Sequence, residues 1–347
     1  MKLLIRATNW VGDAIMALPA LQAVRNRFPA AQISILALPY VADIYRGQGI
    51  ADDLIPYNRH GEHKGVGGKE KLADVLRSKK FAAALLLQNA FDAAWIAWRA
   101  GIPERIGYNR DARGFLLTKP IRVPRAGEIP AHEKYYYLEL LKRAGWIDAV
   151  PEIPEISLYV SEEESRQAEA KLQTFGSQVD AVRIAVGAGA SYGSAKCWPP
   201  ERFAKAINQL LKERKAEVIL FGTPAEAEVS AAIRAGLDQP ALDLTGATHI
   251  AELPALLSRC TAFLGNDSGA MHVAAAVGLP VVAVFGPTDP EGTAPVTPRR
   301  TIVQEKPYCS PCFLRRCPTD HRCMTAITPE RVSEGIVKAL AEVSVGW

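Results

Sequence analysis

Residues 263–286 read FLGNDSGAMHVAAAVGLPVVAVFG, a pattern that predicts a strand, a tight turn, a helix, a second turn and a strand. Gly269 lets the backbone approach a ligand closely. Ser268 can cap the helix, whose first N–H groups then suit an anion such as a nucleotide diphosphate. Open α/β sheets bind ligands at the carboxyl ends of their strands, so Asp267, Ser268, Gly269 and His272 are candidate ligand-binding residues. The alternative is a well-capped turn beside a packed histidine.

Strands and helices alternate in the same order in both halves of the chain. The predicted elements are a strand over 2–6, a helix over 14–27 and a strand over 32–36, then a strand over 182–186, a helix over 202–212 and a strand over 218–221. Pro19 should kink the first of these helices. This order predicts parallel sheets built from right-handed βαβ units. We therefore expect an α/β protein with two Rossmann-like domains, each holding a parallel sheet.

The domain limits follow from the segment around residue 161. Ser161 precedes three glutamates and is the expected cap of a solvated helix, so we place the hinge just after that helix. The predicted first domain covers residues 1–176 and the second covers residues 177–328. A last helix within residues 329–347 is expected to pack back on the first domain.

Composition narrows the class of protein. The chain has 347 residues, of which 48% are hydrophobic and 22% charged, with a formal net charge of +4. This balance is typical of a globular protein, and it does not indicate a nucleic-acid binder. Arg6, Asn9 and Asp13 interrupt the apolar N-terminus, which makes it a poor signal peptide. We expect a cytoplasmic protein whose six cysteines are reduced.

Lys196 lies near the end of the glycine-rich loop from Gly187 to Trp198. A lysine there can neutralise charge that develops on a diphosphate leaving group. No D-x-D triplet, which could hold a divalent metal on a sugar nucleotide, occurs in the chain. We therefore expect Lys196 and the helix start at Ser268 to stabilise this charge without a metal. A solvated surface lysine is the alternative.

Three separate motifs resemble glycosyltransferase family 9, the heptosyltransferases. The first is N-D-S-G-x-M-H-x-A-A-A-x-G-x-P-x-x-A-x-F-G-x-T from Asn266 to Thr288. The second is R-x-x-N-W-V-G-D-x-x-M-A-L-P-A-L from Arg6 to Leu21, and the third is G-A-x-Y-G-x-A-K-x-W-P from Gly189 to Pro199. The similarity spans nearly the whole chain. The Asn-Trp pair, the A-K-x-W-P segment and the cysteine-rich tail favour the heptosyltransferase II branch, and another heptosyltransferase branch of the same family is the alternative.

The resemblance implies a GT-B fold, in which two Rossmann-like domains face a central cleft, and an inverting transfer of L-glycero-D-manno-heptose from ADP-heptose. The acceptor would be the inner core of lipopolysaccharide at the cytoplasmic face of the inner membrane, and no cofactor or active-site metal is expected. Asp13 would be the general base and Lys196 the leaving-group stabiliser, although from position alone a helix N-cap is the slightly favoured role for Asp13. Asp267 would accept hydrogen bonds from heptose hydroxyls, with Gly269 and His272 near the diphosphate.

The remaining candidates divide between donor and acceptor. On the donor side we expect contributions from Gly187, Ser191, Tyr192, Thr223 and Glu226. Basic clusters in the first half suit an anionic acceptor at a membrane surface, and their candidate acceptor-binding residues are Arg59, Lys64, Arg110 and Arg113. Such clusters can also be ordinary solvated faces.

Four cysteines lie close together as Cys309-x2-Cys312-x4-Cys317-x5-Cys323, with His321 among them. Four thiols could hold a structural zinc, but the spacing departs from two C-x2-C pairs. We therefore favour reduced packing cysteines and predict no bound metal.

Two functions from other classes compete with glycosyl transfer. A nucleotide-dependent oxidoreductase would need G-x-G-x-x-G and a following acid. Between Gly187 and Gly193 the glycine spacing is one residue too long, and no acid directly follows the next strand at Gly222. A nucleotide sensor, which binds ADP without turnover, stays open.

Overall fold

The computed structural model describes residues 1–344, with side chains through Ala341. The chain forms two compact units, Met1–Ile153 and Pro154 to the C-terminus. Each unit is a six-stranded parallel sheet with helices in the connections. The predicted α/β class with two Rossmann-like units is confirmed. Within residues 1–344, no helix is both long enough and apolar enough to cross a membrane.

The first unit has the sheet order β3-β2-β1-β4-β5-β6. Its strands are β1 (Lys2–Arg6), β2 (Gln32–Ala37), β3 (Asp53–Pro56), β4 (Ala83–Leu86), β5 (Glu104–Tyr108) and β6 (Lys119–Ile121). Its helices are α1 (Val11–Met16), α2 (Leu18–Arg27), α3 (Pro39–Tyr45), α4 (Gly65–Lys79), α5 (Phe91–Arg99) and α6 (Glu133–Arg143). The expected helix over 14–27 is divided at Ala17 into α1 and α2. Pro19 thereby falls in the first turn of α2, where its missing N–H costs little helix stability.

The second unit has the sheet order β12-β11-β10-β7-β8-β9. Its strands are β7 (Arg183–Gly187), β8 (Glu217–Leu220), β9 (Leu242–Asp243), β10 (Ala262–Asn266), β11 (Val281–Phe285) and β12 (Arg300–Gln304). Its helices are α7 (Glu162–Thr174), α8 (Pro200–Glu213), α9 (Ala227–Ala235), α10 (Leu253–Ser258), α11 (Gly269–Ala276), α12 (Pro290–Thr293), α13 (Arg322–Thr325) and α14 (Pro329–Ser344).

Both sheets have the same topology. Counted within each unit, the strand order is 3-2-1-4-5-6, the Rossmann order, so the chain direction across the sheet reverses between β1 and β4 and again between β7 and β10. Strands β7, β10 and β11 are buried along their whole length, as expected for apolar runs in a parallel sheet covered on both faces. The switch point of the second sheet therefore lies at the carboxyl ends of β7 and β10.

The structure divides the chain earlier than we expected. Ser161 does cap α7 with a complete capping box, but α7 belongs to the second unit instead of ending the first. Glu169 of α7 pairs with the buried Arg183 of β7 at 2.7 Å, and Lys171 lies 2.9 Å from Glu252. The change of unit falls between Ile153 and Pro154, in an irregular segment and not at the expected glycine turn. Residues 154–176 therefore belong to the second unit, and residues 1–176 are not a structural domain.

The position of the last helix also differs from expectation. Helix α14 packs on α8 and on strands β10, β11 and β12 of the second unit. Its residues Val332 and Ile336 are fully buried in the same core as Trp198 and Phe203. The apolar side of α14 therefore completes the core of the second unit. Residues 345–347 of the expected segment lie outside the described residues.

Candidate active site

The donor-side candidates follow four neighbouring strands of the second sheet. In sheet order, Thr288 follows β11, Asp267 and Ser268 follow β10, the loop with Lys196 follows β7, and Thr223 and Glu226 follow β8. Carboxyl ends of parallel strands meet at one edge, which is where open α/β sheets bind ligands. The fold thus assembles at its switch point residues that are up to about a hundred positions apart in the chain.

A cation and an acid form the centre of this edge. The Nζ of Lys196 lies 2.5 Å from Oδ2 of Asp267, and the hydroxyl of Thr288 donates to the same oxygen at 2.6 Å. The side chains of Lys196 and Asp267 are only 12% and 4% exposed. The same ammonium lies 4.9 Å from the centre of the Tyr192 ring. Lys196 is therefore held in place and is not the solvated surface lysine of the alternative interpretation.

Asn266, which was not among the predicted site residues, connects the end of β10 to the Lys196 loop. Its buried side chain accepts a hydrogen bond from the N–H of Trp198 at 3.0 Å and donates to the carbonyl of Ala188 at 2.5 Å. One amide therefore links the end of β10 to both ends of the loop that carries Lys196. Its position directly before Asp267 was the available signal.

Gly189 of the loop has no side chain, which leaves space for the side chain of Glu226 after β8. A Cβ on Gly189 would overlap the carboxylate of Glu226. That carboxylate accepts hydrogen bonds from the N–H of Thr223 at 2.6 Å and from its hydroxyl at 3.0 Å, forming a capping box. The structure therefore brings Glu226, together with Thr223, directly against the loop.

Helix α11 begins beside Asp267. Ser268 occupies the N-cap position as predicted, but its side chain makes no capping hydrogen bond. The first N–H groups of α11 are therefore not used by the Ser268 hydroxyl, and the helix start keeps its preference for an anion. His272 is buried one turn into the helix, and Gly269 is its first residue.

Four of the six cysteines lie in residues 306–323, which we call the cysteine segment, and this segment packs against the Lys196 loop. The hydroxyl of Tyr192 donates to the carbonyl of Phe313 at 2.6 Å. The N–H of Ala195 donates to the carbonyl of Arg315 at 3.1 Å, while its carbonyl lies 2.7 Å from Nε2 of His321. Sequence analysis missed this contact because no local pattern relates the two segments.

All six cysteines are free thiols. Among the described residues, no group of three or more His, Cys, Asp or Glu side chains is arranged to hold a metal ion. Burial, followed by the three neighbouring thiols of the segment, raises the pKa of Cys323 to about 11. Hydrogen bonds from Thr319 lower the pKa of Cys317.

Asp13 lies on the first unit at the carboxyl end of β1. Helix α1 begins at Val11 with Trp10 as its N-cap, so the suggestion that Asp13 is the N-cap is wrong. Asp13 instead stands in the first turn, where the helix dipole favours a carboxylate. Tyr45 and Tyr137 are buried nearby, and burial together with the charge of Asp13 raises the pKa of both phenols. Both phenols therefore lie close enough to Asp13 to be affected by its charge.

Three of the four acceptor candidates are exposed and one is not. Arg59, Lys64 and Arg110 are exposed on the first unit. Arg113 is completely buried: it donates to the carbonyl groups of Tyr108 and Gln88 and to the side chain of Asn89, and burial lowers its pKa to about 10. Its guanidinium is used within the fold, so the structure does not support the expectation that Arg113 contacts an acceptor.

Comparison with known families decides the class. The sequence model of glycosyltransferase family 9 (heptosyltransferase) matches residues 70–322, from α4 of the first unit to the start of α13 in the second. The chain belongs to glycosyltransferase family 9. The glycosyltransferase class expected from the three motifs is confirmed, and an oxidoreductase is not supported.

Similar family members cover the whole length of the chain. It is 30% identical over 344 residues to lipopolysaccharide heptosyltransferase 2 of Escherichia coli K12, covering 96% of this chain and 97% of that protein. It is 29% identical to lipopolysaccharide heptosyltransferase 2 of Salmonella typhimurium, covering 99% of this chain and 100% of that protein. The structure of E. coli ADP-heptose LPS heptosyltransferase II superposes with a TM-score of 0.83 at 28% identity, covering 99% and 100% of the two chains.

A family 9 glycosyltransferase from Veillonella parvula superposes with a TM-score of 0.85 at 22% identity, over 98% of this chain and 97% of that one. This likeness concerns the fold alone.

The structure brings together the donor candidates on the second unit, from Gly187 and Tyr192 to His272. It leaves Ser191 exposed at the surface of the loop.

Proposed function

We propose that the protein is an inverting heptosyltransferase of the heptosyltransferase II kind. It transfers L-glycero-D-manno-heptose from ADP-heptose to the inner core of lipopolysaccharide. The observation that carries this proposal is the Lys196–Asp267–Thr288 network at the switch point of the second sheet. The full-length similarity to lipopolysaccharide heptosyltransferases 2 supports the choice of sugar and acceptor.

The donor binds the second unit in this proposal. The diphosphate lies at the start of α11 and beside Lys196, whose charge compensates the negative charge that grows on ADP as the sugar–oxygen bond breaks. Asp267 accepts hydrogen bonds from heptose hydroxyls, and Glu226 with Thr223 contacts the nucleoside. The transfer needs no active-site metal because the lysine and the helix dipole stabilise the leaving group.

The acceptor binds the first unit. A hydroxyl of the inner core attacks the anomeric carbon while its proton passes to the carboxylate of Asp13, ADP departs, and the configuration inverts in this single displacement. Arg59, Lys64 and Arg110 are the exposed cations that pair with acidic groups of the core. The reaction takes place at the cytoplasmic face of the inner membrane, with which the enzyme associates peripherally.

Incubation with ADP-heptose and a heptose-deficient core acceptor, followed by mass spectrometry of the glycolipid, tests this function. A product heavier by one heptose, formed in the presence of a chelator, is expected. A parallel reaction with ADP-glucose serves as the control for the sugar. Tight binding of ADP without transfer to any truncated core would instead indicate the nucleotide sensor.

A further inference from the structure

The cysteine segment carries large apolar side chains that face solvent. Tyr308 is 88% exposed, Phe313 is 55% exposed and Leu314 is 45% exposed. Single exposed apolar residues are common on protein surfaces, but three within seven positions of one segment form a patch that calls for an explanation. None of the donor-site contacts described above uses these three side chains.

The backbone beneath the patch is fixed. The N–H of Phe313 donates to the carbonyl of Pro287 at 2.8 Å, and its carbonyl accepts the Tyr192 hydroxyl at 2.6 Å. The hydroxyl of Ser310 donates to the carbonyl of Gly286 at 2.7 Å. Phe313 has a φ of 56°, a left-handed conformation that is uncommon for a bulky residue. The Phe313 side chain is therefore held outward by a bonded backbone, and such local strain is typical of functional positions.

Basic side chains surround these apolar residues. Between positions 306 and 322 the chain has Lys306, Arg315, Arg316 and Arg322 against the single acid Asp320, a net charge of +3. Arg322 pairs with Asp320 at 2.9 Å, and Arg315 lies over the Tyr192 ring. In the part of the chain that the structure describes, Lys306 and Arg316 have no ion pair, so both charges are available to an outside partner.

We propose that the cysteine segment is a docking surface for an anionic phospholipid bilayer. Phenylalanine and leucine side chains of an interfacial segment enter the boundary between headgroups and acyl chains, a tyrosine suits the interface itself, and neighbouring lysines and arginines pair with lipid phosphates. A free anion would be bound by the basic residues alone and would leave the apolar residues unexplained. This surface consists of residues of the second unit, whereas the basic residues Arg59 and Lys64 belong to the first.

Co-sedimentation with vesicles of phosphatidylcholine and phosphatidylglycerol tests the proposal. The full-length protein is expected to bind these vesicles, and to bind much more weakly to pure phosphatidylcholine or at high salt. Arg316→Ala should lower the partition coefficient about 5-fold. Phe313→Asn combined with Leu314→Ser should lower it about 10-fold or more. Asparagine tolerates the left-handed conformation, so this variant should keep the melting temperature of the parent.

Val179→Ser is the matched control, because Val179 is a 66% exposed apolar residue of the same unit that stands beside Asp180 instead of basic residues. It should bind vesicles like the parent protein. Absence of binding by the parent, or unchanged binding by both patch variants, would overturn the proposal. So would a loss confined to Lys64→Ala on the first unit. Since the vesicles contain no sugar nucleotide or acceptor, this result is independent of the heptosyl-transfer assay.

Discussion

The ammonium of Lys196 and the carboxylate of Asp267 lie 2.5 Å apart although 71 residues separate them in the chain. Two of the three motifs that suggested the family, the one with the A-K-x-W-P segment and the one with N-D-S-G, therefore lie together in the second unit. Asp267 holds the lysine beside the start of α11, where the proposed function places the diphosphate of the donor. The pair is buried, so the positive charge is not dispersed by solvent.

Replacing Lys196 by alanine should lower turnover by about 10²–10³, the loss typical when one preorganised charge stabiliser is removed. Steady-state kinetics with saturating ADP-heptose measures this effect. Lys205→Ala is the control, because Lys205 is an exposed lysine on α8 and should leave turnover unchanged. Near-normal turnover in the Lys196 variant would mean that another group stabilises the leaving diphosphate.

Thr288→Val tests whether Asp267 must be held in place. Valine keeps the shape of threonine but removes the hydroxyl that donates to Oδ2 of Asp267 at 2.6 Å. A hydrogen bond to a charged group is worth roughly 1.5–3 kcal/mol, so kcat/KM for ADP-heptose should fall by about 10–100-fold. Thr293→Val, which removes a hydroxyl bonded at 3.4 Å to a backbone carbonyl, should change it little. Equal kinetics for the two variants would contradict a positioning role for Thr288.

Gly189→Ala should weaken donor binding without unfolding the protein. The added methyl group would overlap the Glu226 carboxylate, and the flexible glutamate can move away at small cost in stability. Its displacement removes the proposed nucleoside contact, so ADP affinity measured by calorimetry should fall by about 10-fold, the loss of one good hydrogen bond to a charged group. Gly67→Ala is the control, since a Cβ there meets no atom within 4 Å and alanine favours helix α4. Unchanged ADP affinity in the Gly189 variant would separate Glu226 from the donor site.

The sequence predicted those features of the fold and the site whose signal lies in a few neighbouring residues. Strand β1 and the cap of α7 were predicted correctly because hydrophobic spacing and the Ser161 capping box are local patterns. The roles of Asn266 and Thr288 were not predicted, since their partners come from loops after other strands. In the sequence, Arg113 belongs to a basic cluster that is typical of a solvated surface. Its burial depends on hydrogen bonds to carbonyl groups at the ends of β4 and β5, which come near Arg113 only in the folded sheet.

The cysteines should differ in reactivity. Hydrogen bonds from Thr319 lower the pKa of Cys317, whereas burial raises the pKa of Cys260 to about 12. Because the thiolate is the reactive form, Cys317 should be alkylated first and should retain its reactivity at a lower pH than the other thiols. Timed iodoacetamide labelling between pH 6 and 9, with peptide mass spectrometry, measures the order. Faster labelling of Cys260 than of Cys317 would contradict this assignment.

The last prediction concerns Asp13 as the general base. Asp13 stands in the first turn of α1 and not at its N-cap, so the expected cost of Asp13→Asn is the loss of a favourable interaction with the helix dipole. The free energy of unfolding should therefore fall by no more than about 1 kcal/mol. Turnover should fall by about 10²–10⁴, because asparagine cannot accept the proton of the acceptor hydroxyl at neutral pH.

The affinity for ADP should not change in this variant, since Asp13 belongs to the first unit and the proposed phosphate site belongs to the second. Melting temperature, ADP calorimetry and turnover on one preparation separate these effects. Asp43→Asn is the control, because Asp43 is also a helical acid of the first unit and pairs with Arg46 at 3.1 Å on the surface. If Asp13→Asn is stable, binds ADP and turns over like this control, then Asp13 is not the general base and a different residue must accept the proton.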